Sequence, residues 1–318
     1  MSEREHLLES IASTIADYHT PRSAQEVDRW VKQFREDVQL PILIEMDHVL
    51  KKTYQSKEAM LRFLRELATS HPASFWRDVR FLNIQQGGQS QAEMLRLFDG
   101  ILQECYNLKV DECGKKPSAF VYLDDAVFTG NRLQTDLSTW IINDAPAKTT
   151  LHIITMARHT NGHWYANDRI VKAARKAKKT IDLNWYQPHL KIENRLSEKD
   201  NSDVLWPTVL PADERTTNYI ASLAPYTPEL RRPGHLGPNR FFSSEEGRHI
   251  LEQEFLVAGL RIRAACRFLN QYQRPLGYTV LNTLGCGSLF VTYRNCPNNC
   301  PLALWAGDPW PLFPRKTN

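Results

Sequence analysis

The chain has 318 residues, 42% hydrophobic and 24% charged. These proportions exclude a disordered chain, a collagen-like repeat or a coiled-coil rod, and the length fits one large domain or two modest ones. Lys and Arg outnumber Asp and Glu by 40 to 36, a formal charge of +4, which is less than a dedicated nucleic-acid binder carries unless its cations cluster.

Residues 4–70 are expected to be helical. Ile42, Met46, Val49 and Leu50 recur at three- and four-residue spacing, as do Leu61, Leu64 and Leu67, the signature of an amphipathic helix. From residue 76 the pattern changes. Val79–Ile84 has strand character, Gln85–Ser90 is a glycine loop, and a helix follows with Met94, Leu95, Leu97, Phe98 and Ile101. A second unit opens with Ala119–Leu123, a run too apolar for a half-exposed edge strand. It passes through Asp124-Asp125-Ala126-Val127-Phe128-Thr129-Gly130-Asn131-Arg132 into a helix at Leu133–Ile142.

A third strand, Leu151–Met156, leads to a polar loop, Arg158–Trp164, then to a basic helix, Asp168–Lys179, and a strand, Thr180–Trp185. Alternating strands and helices define an α/β fold with a mostly parallel sheet covered on both faces. Residues 200–240 read as irregular. Ser243-Ser244-Glu245-Glu246 opens a long helix, Ser244–Tyr272. The tail, 276–318, has a strand at Ser288–Tyr293, and Trp305, Trp310 and Phe313 must pack on something. Three regions are therefore expected: a helical 1–72, an α/β core of 73–240, and a long helix with a folded-back hood, 241–318.

No run reaches the roughly 18 apolar residues of a membrane span. The start, MSEREHLLES, lacks the apolar centre of a secretory signal. Six unevenly placed cysteines suit a reducing compartment, so a cytoplasmic protein is expected. Cys286, Cys296 and Cys300 lack the two-by-two spacing of a zinc site, and buried thiols are the preferred reading.

The most informative segment is Phe120–Arg132. Ligands of open α/β sheets lie beyond the carboxyl ends of the strands, where Asp124 and Asp125 could accept from two ribose hydroxyls. Backbone N–H groups of Thr129–Arg132, with the positive end of the next helix, could hold a phosphate. Gly87 and Gly88 permit close backbone approach, and Ser90 offers a hydroxyl. No Lys or Arg lies within Gln85–Gln91, so a plain turn fits that loop as well. The helix 168–179 could face solvent or a polyanion such as nucleic acid.

The order of strand, two acids, small or apolar residues and Thr-Gly resembles the phosphoribosyl-pyrophosphate motif of type I phosphoribosyltransferases. Asn131 and Arg132 stand where that family usually has Gly and Thr; Arg132 would either strengthen the phosphate contact or obstruct it. The resemblance implies a type I phosphoribosyltransferase fold in which Asp124 and Asp125 hold ribose and magnesium, the latter directly or through water. Thr129, Gly130, Asn131 and Arg132 would then bind the 5′-phosphate, and Gln86, Gly87, Gly88, Gln89 and Ser90 the pyrophosphate. It also makes Arg158, with His159 and His163, part of a catalytic lid.

Asp28–Phe34, and Cys296–Cys300 running on to Trp310 and Pro314, resemble phosphoribosyltransferase-like proteins of bacterial conflict and anti-phage operons. That resemblance implies a defence effector with a partner protein or ribonucleoprotein, and it leaves Asn298 and Asn299 as pocket hood or plain turn. A non-catalytic nucleotide-sensing subunit and a salvage enzyme are the alternatives.

Overall fold

The computed structural model describes residues 2–266, 273–281, 283–306 and 310–315. In chain order its elements are α1 (Glu3–Thr14), α2 (Ala24–Val31), α3 (Glu36–Thr53), β1 (Tyr54–Gln55), α4 (Lys57–Thr69) and α5 (Ala73–Asp78). Then come β2 (Val79–Phe81), α6 (Ser90–Tyr106), β3 (Ala119–Val127), α7 (Asn131–Asn143), β4 (Lys148–His159) and α8 (Thr160–Lys176). The chain closes with β5 (Thr180–Trp185), β6 (Leu190–Ile192), α9 (Glu214–Ser222), α10 (Glu245–Ala265), β7 (Val291–Thr292) and α11 (Leu302–Trp305). No helix among the described residues is long and apolar enough to cross a membrane.

The chain divides into two compact units, Met1–Lys57 with Glu193–Thr317, and Glu58–Ile192. In the first, Ser2 and Ser23 cap α1 and α2 through reciprocal boxes with Glu5 and Glu26, each satisfying two backbone N–H groups that a helix start leaves unpaired. The tail packs on these N-terminal helices. Trp30 Nε1 donates to the Ala303 carbonyl at 2.8 Å, the Tyr18 hydroxyl donates to that of Pro314 at 2.8 Å, and β1 pairs in parallel with β7. Three expectations shift here. The strand of the tail is two residues long, 200–240 contains α9, and α10 ends at Ala265; the expected continuation over 267–272 lies outside the described residues.

The second unit is the sheet. Its strands run in the order β2-β3-β4-β5, all parallel, with β6 pairing the end of β4. Strand alternation divides the side chains between two faces. Phe120, Tyr122, Leu151 and Ile153 meet Leu133, Leu137, Trp140 and Ile141 of α7 and Ala166, Ile170 and Ala174 of α8 in one apolar cluster. On the other face Phe81, level with Val121, meets Phe98 of α6 and Trp76 of α5. The sheet is thus covered on both faces, and the fold is the mostly parallel α/β type.

Two boundaries in this unit correct the sequence reading, and both bear on the site. β3 does not stop at Leu123: Ala126 and Val127 pair with Ala157 and Arg158, so the ladder absorbs residues whose composition suggested a loop. For the same reason β4 continues to His159 and α8 starts at Thr160, eight residues before the expected basic helix. No loop exists at 158–164.

Candidate functional site

Asp124 sits inside β3, 6% exposed. Tyr122, two residues earlier on the same face, places its hydroxyl 3.4 Å from Asp124 Oδ2, and Asp124 Oδ1 accepts from the Asp125 N–H at 2.9 Å. Because the strand runs on, Asp125 points to the opposite face. The two acids therefore do not stand side by side as the motif reading required; Asp124 alone joins the Tyr122 cluster.

The Gln85–Ser90 loop comes to that cluster. Gln85 Nε2 is 2.9 Å from Ser90 Oγ and 3.4 Å from Asp124 Oδ2. Gln91 Oε1 accepts from the N–H groups of Ile84 and Gln85 at 2.7 and 3.0 Å, and Asp136 Oδ1 from that of Gln86 at 3.2 Å. Gly87 and Gly88 have φ of +86° and +89°, a region that glycine enters without steric cost. A Cβ at Gly88 would lie 2.5 Å from Arg132 Nη1. The loop that carries no cation of its own therefore has one supplied by the second loop, and the structure brings Gln86–Ser90, Asp124 and Arg132 together.

Sequence reasoning missed Tyr122, Gln91 and Asp136. A signal existed for the last two, since both are polar residues on the apolar stripe of their helices. Gln91 precedes Met94, Leu95 and Phe98, and Asp136 lies between Leu133 and Leu137 with Trp140 beyond. Burial holds the Asp136 carboxyl above the usual carboxylate range, with the Gln86 N–H and the Arg132 charge opposing it. Asp136 Oδ2 and Gln91 Nε2 are buried without a hydrogen-bond partner.

Thr129–Arg132 forms the turn into α7. Gly130 has φ +74° and sits against the Gly162 carbonyl, while a Cβ on Gly162 would strike the Phe128 carbonyl. The turn and the first turn of α8 thus touch backbone to backbone, which fixes where Asn131 and Arg132 start the helix. Thr129 Oγ1 accepts from the Asn131 N–H at 3.4 Å.

Arg158 is not on a mobile lid. It lies in β4, 7% exposed, donates to the Tyr186 carbonyl at 3.2 Å and stands over the Trp185 ring. Burial pulls its guanidinium below the ordinary value. His159 is fully buried, 3.0 Å from the Val127 carbonyl, and burial pushes its imidazole down to about 4. His163, packed on Trp185, is also pushed down to about 4, chiefly by burial and then by Arg158 and Lys191. A neutral imidazole cannot act as the cation expected of a lid.

Asn298 and Asn299 belong to the other unit. There the Asn298 carbonyl accepts from the Tyr278 N–H at 2.7 Å, and Asn299 Nδ2 donates to the Tyr278 carbonyl at 2.8 Å; both asparagines are held against Tyr278. Cys286, Cys296 and Cys300 are buried free thiols, and burial raises Cys286 to about 12. Among the described residues no three His, Cys, Asp or Glu side chains converge on a metal position. The basic helix is α8, where Lys172 pairs with Asp168 at 2.7 Å and Arg169 lies over Tyr165.

A parallel sheet whose acid-bearing strand runs through a Thr-Gly turn into a helix, with a glycine loop one strand earlier, has the phosphoribosyltransferase type of architecture. The PRTase-CE family model matches residues 27–315. The chain belongs to that family and is phosphoribosyltransferase-like. No curated protein matches it.

Proposed function

We propose that the Glu58–Ile192 unit binds phosphoribosyl pyrophosphate or a related nucleotide and acts at ribose C1, by transfer or cleavage, as an effector of anti-phage defence. The observation that carries the binding is the Arg132 guanidinium against Gly88, between two loops that each suit a phosphate, with Gln85 of the first loop reaching the Asp124 carboxylate. Asp124 would accept from a ribose hydroxyl, Gln86–Ser90 would present backbone N–H groups to the pyrophosphate, and Thr129–Asn131 would take the 5′-phosphate. Arg132 neutralises charge on either phosphate group, including that which grows as the C1–O bond breaks and pyrophosphate leaves with the electron pair.

One buried carboxylate beside a phosphate site fits a magnesium ion, which takes one or two carboxylates and completes its shell with phosphate oxygens and water. Asp124 would hold it, and the metal would screen the leaving pyrophosphate. The defence role is supported by the resemblance of Asp28–Phe34 and of the Cys296–Pro314 tail to conflict-operon proteins. Toxicity on expression that disappears in Asp124→Asn would support it, and equal toxicity in that variant would remove the pocket from the effector mechanism.

The divergence of Asp124 and Asp125 and the strand–helix junction at 158–164 favour a second reading, a subunit that binds the ligand without turning it over. Calorimetry with phosphoribosyl pyrophosphate and magnesium tests binding. The expected result is a saturable heat in the wild type, weakened at least tenfold in Asp124→Asn and in Arg132→Gln. No heat from folded wild-type protein would refute the proposal. Pyrophosphate release during the titration separates enzyme from sensor.

A further inference from the structure

A cleft of about 640 Å³ lies elsewhere in the sheet unit, along the outer edge of β2. That is within the range of small-molecule sites. β2 ends the strand order on this side. Leu82 donates its N–H to Val121 of β3 at 2.8 Å, so strand alternation turns the main-chain groups of Phe81 and Asn83 the other way, into the cleft that both residues line. The lower part of the same edge is closed. Gly114, at φ +61°, lies on the Arg80 backbone, and its carbonyl accepts from Arg80 Nε and Nη2 at 3.1 and 2.8 Å.

Four cations ring the opening: Arg80, Arg96, Lys109 and Lys115, all exposed. None forms an ion pair with a carboxylate among the described residues. The two acids of the rim are Asp99, whose Oδ1 accepts from the Val110 N–H at 2.7 Å, and Asp111. Leu95 and Phe81 give the cleft its apolar lining. An apolar lining, an open main-chain edge of alternating donors and acceptors and a rim of excess positive charge together match a planar base joined to phosphates.

We propose that this cleft is a second ligand site, for a mononucleotide, distinct from the Asp124–Arg132 cluster. Its walls are the end of β2, one side of α6 and the Lys109–Lys115 segment. Asn83 leads into the Gln85–Ser90 loop from β2, and Leu95 and Arg96 lie on α6, which begins at Ser90. A ligand there would touch the two elements that flank that loop.

The test is calorimetric titration of the full chain with ATP, GTP, CTP and UTP, and with pyrophosphate alone. It is run on wild type, on Arg96→Glu with Lys115→Glu, and on Asp124→Asn. Both reversed cations are exposed, and retention of phosphoribosyl pyrophosphate binding or of the circular dichroism melt shows that the double variant is folded. The expected result is binding of at least one nucleotide by wild type and Asp124→Asn, weakened tenfold or more by the double reversal. Binding abolished by Asp124→Asn and untouched by the reversal would overturn the proposal. So would pyrophosphate binding to Asp124→Asn as tightly as any nucleotide does, or no nucleotide binding to that variant at millimolar concentration. Because Asp124→Asn is expected to affect only the first site, loss of one site does not imply loss of the other.

Discussion

Each unit holds a cluster of buried polar and charged side chains, and the two clusters are satisfied differently. In the Met1–Lys57 and Glu193–Thr317 unit, Arg231, Glu252 and Arg248 have side chains with no exposure. Glu252 accepts from both arginines at 2.8–2.9 Å and from the Trp206 N–H at 3.0 Å. The remaining Arg248 donors end on Ser202, Val204 and His235 at 2.8–3.0 Å. In the Glu58–Ile192 unit, Asp136 and Gln91 each keep one polar atom without a partner, and Tyr122 and Asp124 share a contact at the long limit of a hydrogen bond. The Arg231–Glu252–Arg248 centre is closed, with unpartnered atoms such as Glu245 Oε2 only outside it. The cluster beside the Gln85–Ser90 loop keeps hydrogen-bonding capacity next to the two loops that suit a phosphate.

The largest effect is expected of Glu252→Ala, which takes the shared carboxylate from two buried guanidinium groups and leaves Arg231 with Glu245 alone. The expected loss is about 3–5 kcal/mol in denaturant unfolding of that unit; an unshifted midpoint would mean the network carries no load. Next comes the buried imidazole of the sheet unit. His159 is neutral when folded, with its pKa held near 4 against an ordinary 6.5. Its contribution is complete above pH 6.5 and is lost as pH falls from 6.5 towards 4, on the order of 3 kcal/mol for a fully buried ring. His159→Gln should flatten the stability profile over that window, and an unchanged slope would assign the acid sensitivity to other groups.

Gly162→Ala drives a methyl into the Phe128 carbonyl, and about 1–3 kcal/mol of destabilisation is expected, with phosphoribosyl pyrophosphate affinity falling as the Thr129–Arg132 turn moves. A smaller change is expected at Asp136→Asn. Removing a buried carboxyl that burial has already raised should stabilise the unit at neutral pH by about 1 kcal/mol, with the gain shrinking as pH falls and the wild-type carboxyl protonates. The same variant should weaken ligand binding, because Gln86 is held through that carboxylate. Stability and affinity both rising would contradict the division between closed and open networks.

The sheet was legible wherever apolar runs alternate with amphipathic helices: Thr180–Trp185 forms the strand expected of it, and Ala119–Leu123 is the heart of β3. What composition could not show was where pairing carries a strand onward. Ala126 and Val127 look like loop residues until β4 lies beside them, and that extension turns Asp124 from Asp125. Nor was the cation of the glycine loop legible, since Arg132 is 44 positions beyond Gly88 in the chain and only the fold of β3 returns it. The lid reading failed because Arg158 and His159, polar in type, are buried in β4. The apolar stripes of α6 and α7 did contain the clue to Gln91 and Asp136, two polar side chains where core residues belong.

The pairing of Trp30 with Ala303 has a consequence for biosynthesis. The two residues are 273 positions apart, and at roughly 5–20 residues per second a ribosome needs on the order of tens of seconds to make the second after the first. All that while α1 to α3 lack the tail they pack on, and the whole of Glu58–Ile192 can emerge and fold in the interval. These helices, made before the sheet unit, thus find their partners only after that unit has had time to fold. A chaperone that shields Trp30, Val31 and Phe34 on the nascent chain should matter more to yield than one acting on the sheet.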